Sequence, residues 1–367
     1  MQPPPARPGM AEYEVDTPAL LVDLDALEFN LDRMAALLNG TGVRLRAHAK
    51  THKSPVIARW QAARGAIGQC VQKVAEAEVM AWGGVANILV SNEVVVPSKL
   101  ARLMALHGIA AVAVCADNDA GVDRIADAAA MAGVRQDVLV EVDTGHGRCG
   151  VAPGPAAVAL AERIAASRHL RFAGLQAYHG AAQHTRSLDE RAALIGAGAE
   201  AARRTVEQLR QHGLTCDIVG GGGTGSFELE SASDVFTEVQ AGSYCFMDAD
   251  YGRNHGGAST GFRQSLFVLA TVMSTRPGRA VVDAGHKAVA IDSGFPLVWD
   301  RAGVAYTGAS DEHGVLAGDG TLPSLGEAVR LIPGHCDPTV DRHDWYVGVR
   351  GGRVETVWPV AARGAMG

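Results

Sequence analysis

Lysine is scarce in this chain: of 33 basic residues only five are lysine, at positions 50, 53, 73, 99 and 287. Two of them stand three residues apart in the stretch Arg46-Ala-His-Ala-Lys-Thr-His-Lys-Ser-Pro55. Lys50 closes the short apolar run VRLRAHAK and precedes an amphipathic segment opened by proline, the pattern of a strand turning into a helix. Such turns deliver their first loop residues to the mouth of a parallel α/β sheet or barrel, where catalytic groups collect. Partial desolvation there would lower the amine pKa, as Schiff-base chemistry requires. A surface lysine at a strand end is the plainer alternative.

Further candidates follow along the chain. Asp143-Thr-Gly-His-Gly-Arg-Cys-Gly150 is a glycine-studded loop in which Arg148 is suited to holding an oxyanion. In Gln176-Ala-Tyr-His-Gly180 the period of two puts Gln176 and Tyr178 on one face and His179 on the other, with His184 in the loop beyond. The run Val219 to Ser226 contains Gly222, Gly223, Thr224 and Gly225, and Gly242-Ser243-Tyr244 comes later. Glycine backbone and hydroxyls make a concave anion site, and barrel enzymes place phosphates at their seventh and eighth loops. Neither run has the spacing of a Walker or dinucleotide loop. Finally, Pro333-Gly-His-Cys-Asp-Pro-Thr339, if extended over 335–337, projects His335 and Asp337 to one side as an imidazole–carboxylate pair for a divalent ion.

These residues need a frame to bring them together. Eight short β-rich runs recur at 43–49, 67–72, 86–91, 109–116, 137–143, 171–178, 215–220 and 235–240, most of them separated by segments of helical periodicity. Near-continuous apolar strands alternating with helices imply a parallel sheet covered on both faces, here a (β/α)8 TIM-type barrel, with an open doubly wound sheet as the alternative. A helix beginning near residue 25, with Asp25 as its N-cap, precedes them. From about residue 265 the pattern becomes alternating strands broken by Gly and Pro without a convincing helix, including the run KAVAIDSG.

The expected organisation is a disordered, proline-rich tail over 1–15, a barrel over 16–260 and a mainly β domain over 261–367, with residues 18–23 able to join the latter. A net charge of −7 and the lack of a basic tract argue against a nucleic-acid surface. No apolar run approaches membrane-spanning length, so a cytoplasmic protein without membrane partners is expected. Six scattered cysteines without a CxxC indicate neither a disulfide framework nor a zinc knuckle.

Taken together, the lysine, the arginine, the glycine loops and the C-terminal β domain resemble the alanine-racemase-like, fold-type III pyridoxal-phosphate enzymes. The motifs HAKTHKSP, QKVAEAE, SNEVV, EVDTGHGRCGV, GLQAYHG, GGGTGS, AGSYCFMDADYG, DEHGV and GHCDPT are similar to those of the D-threonine aldolase branch. That resemblance implies that Lys50 forms the imine link to pyridoxal 5'-phosphate, with Lys53 the less favoured neighbour. It implies that Arg148 meets the cofactor's phenolate oxygen and that Thr224, Gly242, Ser243 and the adjoining glycines hold its phosphate. It also implies Mn2+ or Mg2+ on His335 and Asp337, a D-amino acid substrate and a homodimer. Eukaryotic D-serine dehydratases of similar sequence have a His-x-Cys zinc pair, whereas carboxylate oxygen at Asp337 suits manganese or magnesium.

The expected reaction is retro-aldol cleavage of a D-β-hydroxy-α-amino acid, D-threonine giving glycine and acetaldehyde, with His184 or a metal-bound hydroxide as base. The alternatives are cleavage of 3-hydroxy-D-aspartate to glycine and glyoxylate, or a dehydratase that yields a 2-oxo acid and ammonia. A racemase needs no metal pair, and a non-catalytic cofactor carrier needs no β domain.

Overall fold

The computed structural model of the chain describes residues 2–367. Strand β1 (Ala19–Asp23) leads directly into helix α1 (Leu24–Leu38). The N-cap of α1 is Asp23, whose carboxylate accepts from the backbone N of Ala26 at 3.0 Å, and not Asp25, which lies inside the first turn.

The eight expected strands then form β2 (Arg44–His48), β3 (Gly68–Val71), β4 (Asn87–Glu93), β5 (Ala111–Ala116), β6 (Gln136–Glu141), β7 (Leu170–Gln176), β8 (Ile218–Gly221) and β9 (Glu238–Val239). They pair in parallel in sequence order, and β9 returns to β2 to close a barrel. The open-sheet alternative is thereby excluded. A buried ion pair secures the closure: Arg46 Nε donates to Glu238 Oε2 at 2.7 Å, joining the first and last barrel strands.

Helices α2 (Pro55–Ala62), α3 (Val74–Trp82), α4 (Pro97–Ala105), α5 (Asp119–Ala132), α6 (Pro155–Ala166), α7 (Leu188–Gln211) and the short α8 (Phe227–Ser231) connect the strands. Their apolar stripes bury Met80, Leu103, Ile125 and Ile164 against Val90, Val114 and Val140 of the barrel wall. Burial on both faces is why these strands read as apolar runs rather than alternating ones.

The C-terminal part builds a mixed sheet from β10 (Leu266–Arg276), β11 (Arg279–Val282), β12 (Leu297–Val298), β13 (Val304–Ala309), β14 (Gly314–Gly318), β15 (Ala328–Ile332), β16 (Trp345–Arg350) and β17 (Arg353–Pro359). β1 lies in its middle, antiparallel to β10 and parallel to β16, so the first strand of the chain belongs to the second domain. The run KAVAIDSG forms no strand, and a short helix, α9 (Cys336–Val340), stands where none was expected.

The N-terminal segment also departs from expectation. Residues 2–15 lie along the β sheet: Gly9 N donates to Val354 O at 2.8 Å, Trp345 Nε1 to Gln2 O at 2.8 Å and Arg330 Nε to Glu12 Oε1 at 2.6 Å. Ala6 and Val15 are buried with Phe267 and Val347. Prolines stiffen the unbound chain, and this reduces the entropy lost when so polar a segment docks. All six cysteines are free, and among the described residues no helix is long and apolar enough to cross a membrane.

Candidate active site

A cavity of about 250 Å³ opens at the C-terminal ends of the barrel strands, where the β domain leans over the mouth. Lys50, two residues past β2, reaches it, as do Arg148 from the loop after β6 and Gln176, Tyr178 and His184 from the end of β7 and its loop. Gly223 and Thr224 follow β8, and Gly242 and Ser243 follow β9. His335 and Asp337 arrive from the β domain. Segment 335–337 is not extended throughout. His335 is the N-cap of α9 and Asp337 lies in its first turn, yet both line the same cavity while Cys336 is buried between them.

Lys50 Nζ lies 3.3 Å from Asp337 Oδ2. The Asp337 charge raises the lysine pKa above its ordinary value, outweighing a desolvation that acts in the opposite sense. The expected lowering by burial is therefore overturned in the free side chain: a carboxylate in contact decides the sign. The Lys50 side chain keeps 44% of its surface, which faces the cavity. Burial would raise the Asp337 carboxyl, but Lys50 and then His335 hold it well below the usual range.

His335 Nδ1 lies 2.8 Å from Asp292 Oδ2, so a carboxylate fixes the ring and leaves Nε2 to meet an ion. Its pKa is raised by Asp337 and Asp292 against the opposing effect of burial. His184 Nδ1 is 2.5 Å from Asp250 Oδ2. Burial would raise the Asp250 carboxyl, yet His184 and Arg186 bring it to about 2. The Arg148 guanidinium lies 5.8 Å from the centre of the Tyr178 ring and 3.7 Å from Glu141 Oε1.

Lys53 takes no part in the cavity. It turns away, with φ +48°, into ion pairs with Glu76 Oε1 at 3.1 Å and Asp341 Oδ1 at 3.0 Å. Gly222, Gly225 and Tyr244 do not line the cavity either. The Tyr244 side chain is buried against Gln61, and only its backbone N reaches inward, donating to Thr224 Oγ1 at 2.9 Å. Gly223 and Gly242 allow close approach: a Cβ on Gly242 would lie 2.7 Å from His48 O.

The sequence reading missed His48, Thr51, Gln72, Ser91, Gln240 and Tyr251, which complete the lining. All but Gln240 stand within motifs that carry the family resemblance, and several sit at strand ends beside residues already singled out; those were their signals. Burial holds His48 neutral, its pKa well below the ordinary value. Gln240 and Gln176 pair through their amides at 2.8 Å.

The donor set fits two groups. An amine, an arginine, two hydroxyls and glycine backbone around one cavity suit a carbonyl cofactor bearing a phosphate. The imidazole and carboxylate, the former backed by Asp292, suit a divalent cation with open positions.

The barrel followed by a β domain defines the class. Residues 22–250 match the family described as alanine racemase, N-terminal domain, and residues 265–349 the putative serine dehydratase domain. The chain is 47% identical over 365 residues to a D-threonine aldolase of Arthrobacter sp., covering 99% of this chain and 96% of that protein. It is 46% identical over 368 residues to the 3-hydroxy-D-aspartate aldolase of Paracoccus denitrificans, covering 98% and 95%. The crystal structure of D-threonine aldolase from Filomicrobium marinum superposes with a TM-score of 0.97 at 50% identity, covering 99% of this chain and all of that one. The chain belongs to the D-threonine aldolase family of lyases.

Proposed function

We propose that the chain cleaves D-β-hydroxy-α-amino acids to glycine and an aldehyde, with D-threonine as substrate. The observation that carries this reading is the 3.3 Å approach of Lys50 Nζ to Asp337 Oδ2. A substrate amino group taking the place of the Lys50 amine would bring its β-hydroxyl toward the His335 and Asp337 pair, which share the cavity with Lys50. Lys50 would hold pyridoxal phosphate and Gly223, Thr224, Gly242 and Ser243 its phosphate, and the cofactor would supply a sink for the electron pair left on Cα. His335 and Asp337 would hold Mn2+ or Mg2+, which would supply Lewis acidity toward the hydroxyl.

The chain's own residues do the rest. His184 takes the β-hydroxyl proton, the C–O bond becomes C=O, the Cα–Cβ bond breaks with its electron pair left on Cα, and Cα takes up one proton to give glycine. Asp250 holds the imidazole by its Nδ1. Arg148 would offer its guanidinium, which lies over the Tyr178 ring, to an oxyanion of the cofactor. In this reading the chain works as a homodimer on a small D-amino acid, as the family resemblance implies. Sedimentation at assay concentration checks the dimer.

The experiment is product analysis of the purified protein, metal-free and with added Mn2+, on D-threonine and on 3-hydroxy-D-aspartate separately. Metal-dependent glycine with acetaldehyde supports the proposal. Glycine with glyoxylate alone moves the substrate to 3-hydroxy-D-aspartate. A 2-oxo acid with ammonia makes the chain a dehydratase, and no product from either compound refutes the mechanism.

A further inference from the structure

Three neighbouring barrel strands each present a carboxylate at the same rim. Glu93 ends β4, Asp117 immediately follows β5 and Glu141 ends β6. The loop after β6 then brings Cys149 back to them, in part because Gly150 N donates to Asp117 Oδ2 at 3.2 Å. None of these four residues lines the cavity described above. Donor atoms of Glu93, Asp117 and Cys149 all lie within 4.8 Å of one another, and all three residues are partly exposed, so an ion from solvent can reach them.

The surroundings answer only part of this group. Arg148 approaches only Glu141, at 3.7 Å, and Asn118 Nδ2 donates to Asp117 Oδ1 at 2.7 Å. Glu141 is 95% buried by its 5% relative exposure, and its Oε2 has no hydrogen-bond partner. Glu93 Oε1 is likewise buried and unpartnered. Two neighbouring acids, each with one buried and unpartnered oxygen, leave acceptors that a cation can satisfy.

We infer that Glu93, Asp117 and Cys149 form a second divalent-cation site at the barrel rim, with Glu141 beside it and separate from the His335 and Asp337 pair. Two carboxylates and one sulfur make a borderline donor set, which selects zinc or manganese over magnesium and calcium. On binding, the Cys149 S–H bond breaks, its proton passes to solvent and a sulfur–metal bond forms, with water in the remaining position. The site does not rest on the proposed aldolase reaction.

The test counts metal on the cofactor-loaded protein. Stripped with a chelator and dialysed against Zn2+, or separately Mn2+, the native chain is expected to hold two equivalents. Asp337→Ala and the double variant Glu93→Gln with Cys149→Ser are each expected to hold one. Alkylation of Cys149 by iodoacetamide, read by peptide mass, is expected to slow about tenfold with Zn2+ in both the native chain and Asp337→Ala. Because neither of those proteins alters the rim, the alkylation arm decides the matter even where the double variant misfolds.

One equivalent that disappears with Asp337→Ala, with Cys149 alkylation unchanged by Zn2+, overturns the inference and leaves a proton shared by Glu93 and Glu141. One equivalent that survives Asp337→Ala and is lost in the double variant upholds the rim site, and removes the metal from the proposed aldolase chemistry instead.

Discussion

Lys50 Nζ and Asp337 Oδ2 meet at 3.3 Å across the boundary between the barrel and the β domain. The pair sets the first prediction. Lys50→Ala is expected to abolish both turnover and the visible absorbance of bound pyridoxal phosphate, because no other lysine lines the cavity. Asp337→Ala is expected to keep the absorbance while losing about 100-fold or more in kcat/KM. Retained turnover in Lys50→Ala would refute the assignment.

His184 and Asp250 give the second. A carboxylate that orients an imidazole acts on kcat, so Asp250→Asn is expected to lower kcat about 100-fold with KM little changed. The double variant with His184→Ala should be no worse than His184→Ala alone, since the two act as a unit. Independent, multiplicative losses would show that Asp250 serves only Arg186 and Arg253, which it also contacts.

The third concerns the joint between the domains. The Lys53 side chain is 7% exposed and its amine pairs with Glu76 of α3 and with Asp341, which caps α9. Lys53→Met leaves two acidic groups facing without their cation, at a cost of about 3–5 kcal/mol. A thermal midpoint lower by several degrees, with normal cofactor absorbance in the folded fraction, is the expected outcome. An unchanged midpoint would show the acids relaxing into solvent.

The fourth is a pH dependence. Burial lowers the pKa of His52 and of His343 to about 4, in His343 against a hydrogen bond to Ala288 O at 2.8 Å. Both are therefore neutral in the folded chain where the unfolded chain, titrating near 6.5, binds protons. Their stabilising contribution is full above about pH 6.5 and is lost as pH falls toward 4. Urea midpoints measured across that window should decline toward acid. His343→Gln should flatten the slope by about one proton, and an unaltered slope would count against a buried neutral imidazole.

The eight barrel strands were legible because each is buried on both faces, which leaves a short apolar run in the chain itself. Lys50, Arg148, Gly223, Thr224, Gly242 and Ser243 were legible because each follows such a run, and strand ends face the cavity. Tyr244 misled for the same reason: adjacency to Ser243 said nothing of its side chain, which packing turned toward Gln61. KAVAIDSG alternates like a strand but pairs with no strand of the sheet, and pairing is not a property of the run alone.

The sequence by itself thus determined the barrel, the change to a β domain and which loops hold the reactive side chains, since these depend on periodicity over a few residues. Only the tertiary structure decided that β1 pairs with β10 and β16, that residues 2–15 dock, and that Glu93, Asp117 and Cys149 converge. It also decided the direction in which the Lys50 pKa moves. That depends on a carboxylate far along the chain, brought into contact by packing of one domain on the other, and the Coulomb interaction at 3.3 Å outweighs the local desolvation from which the opposite sign was expected.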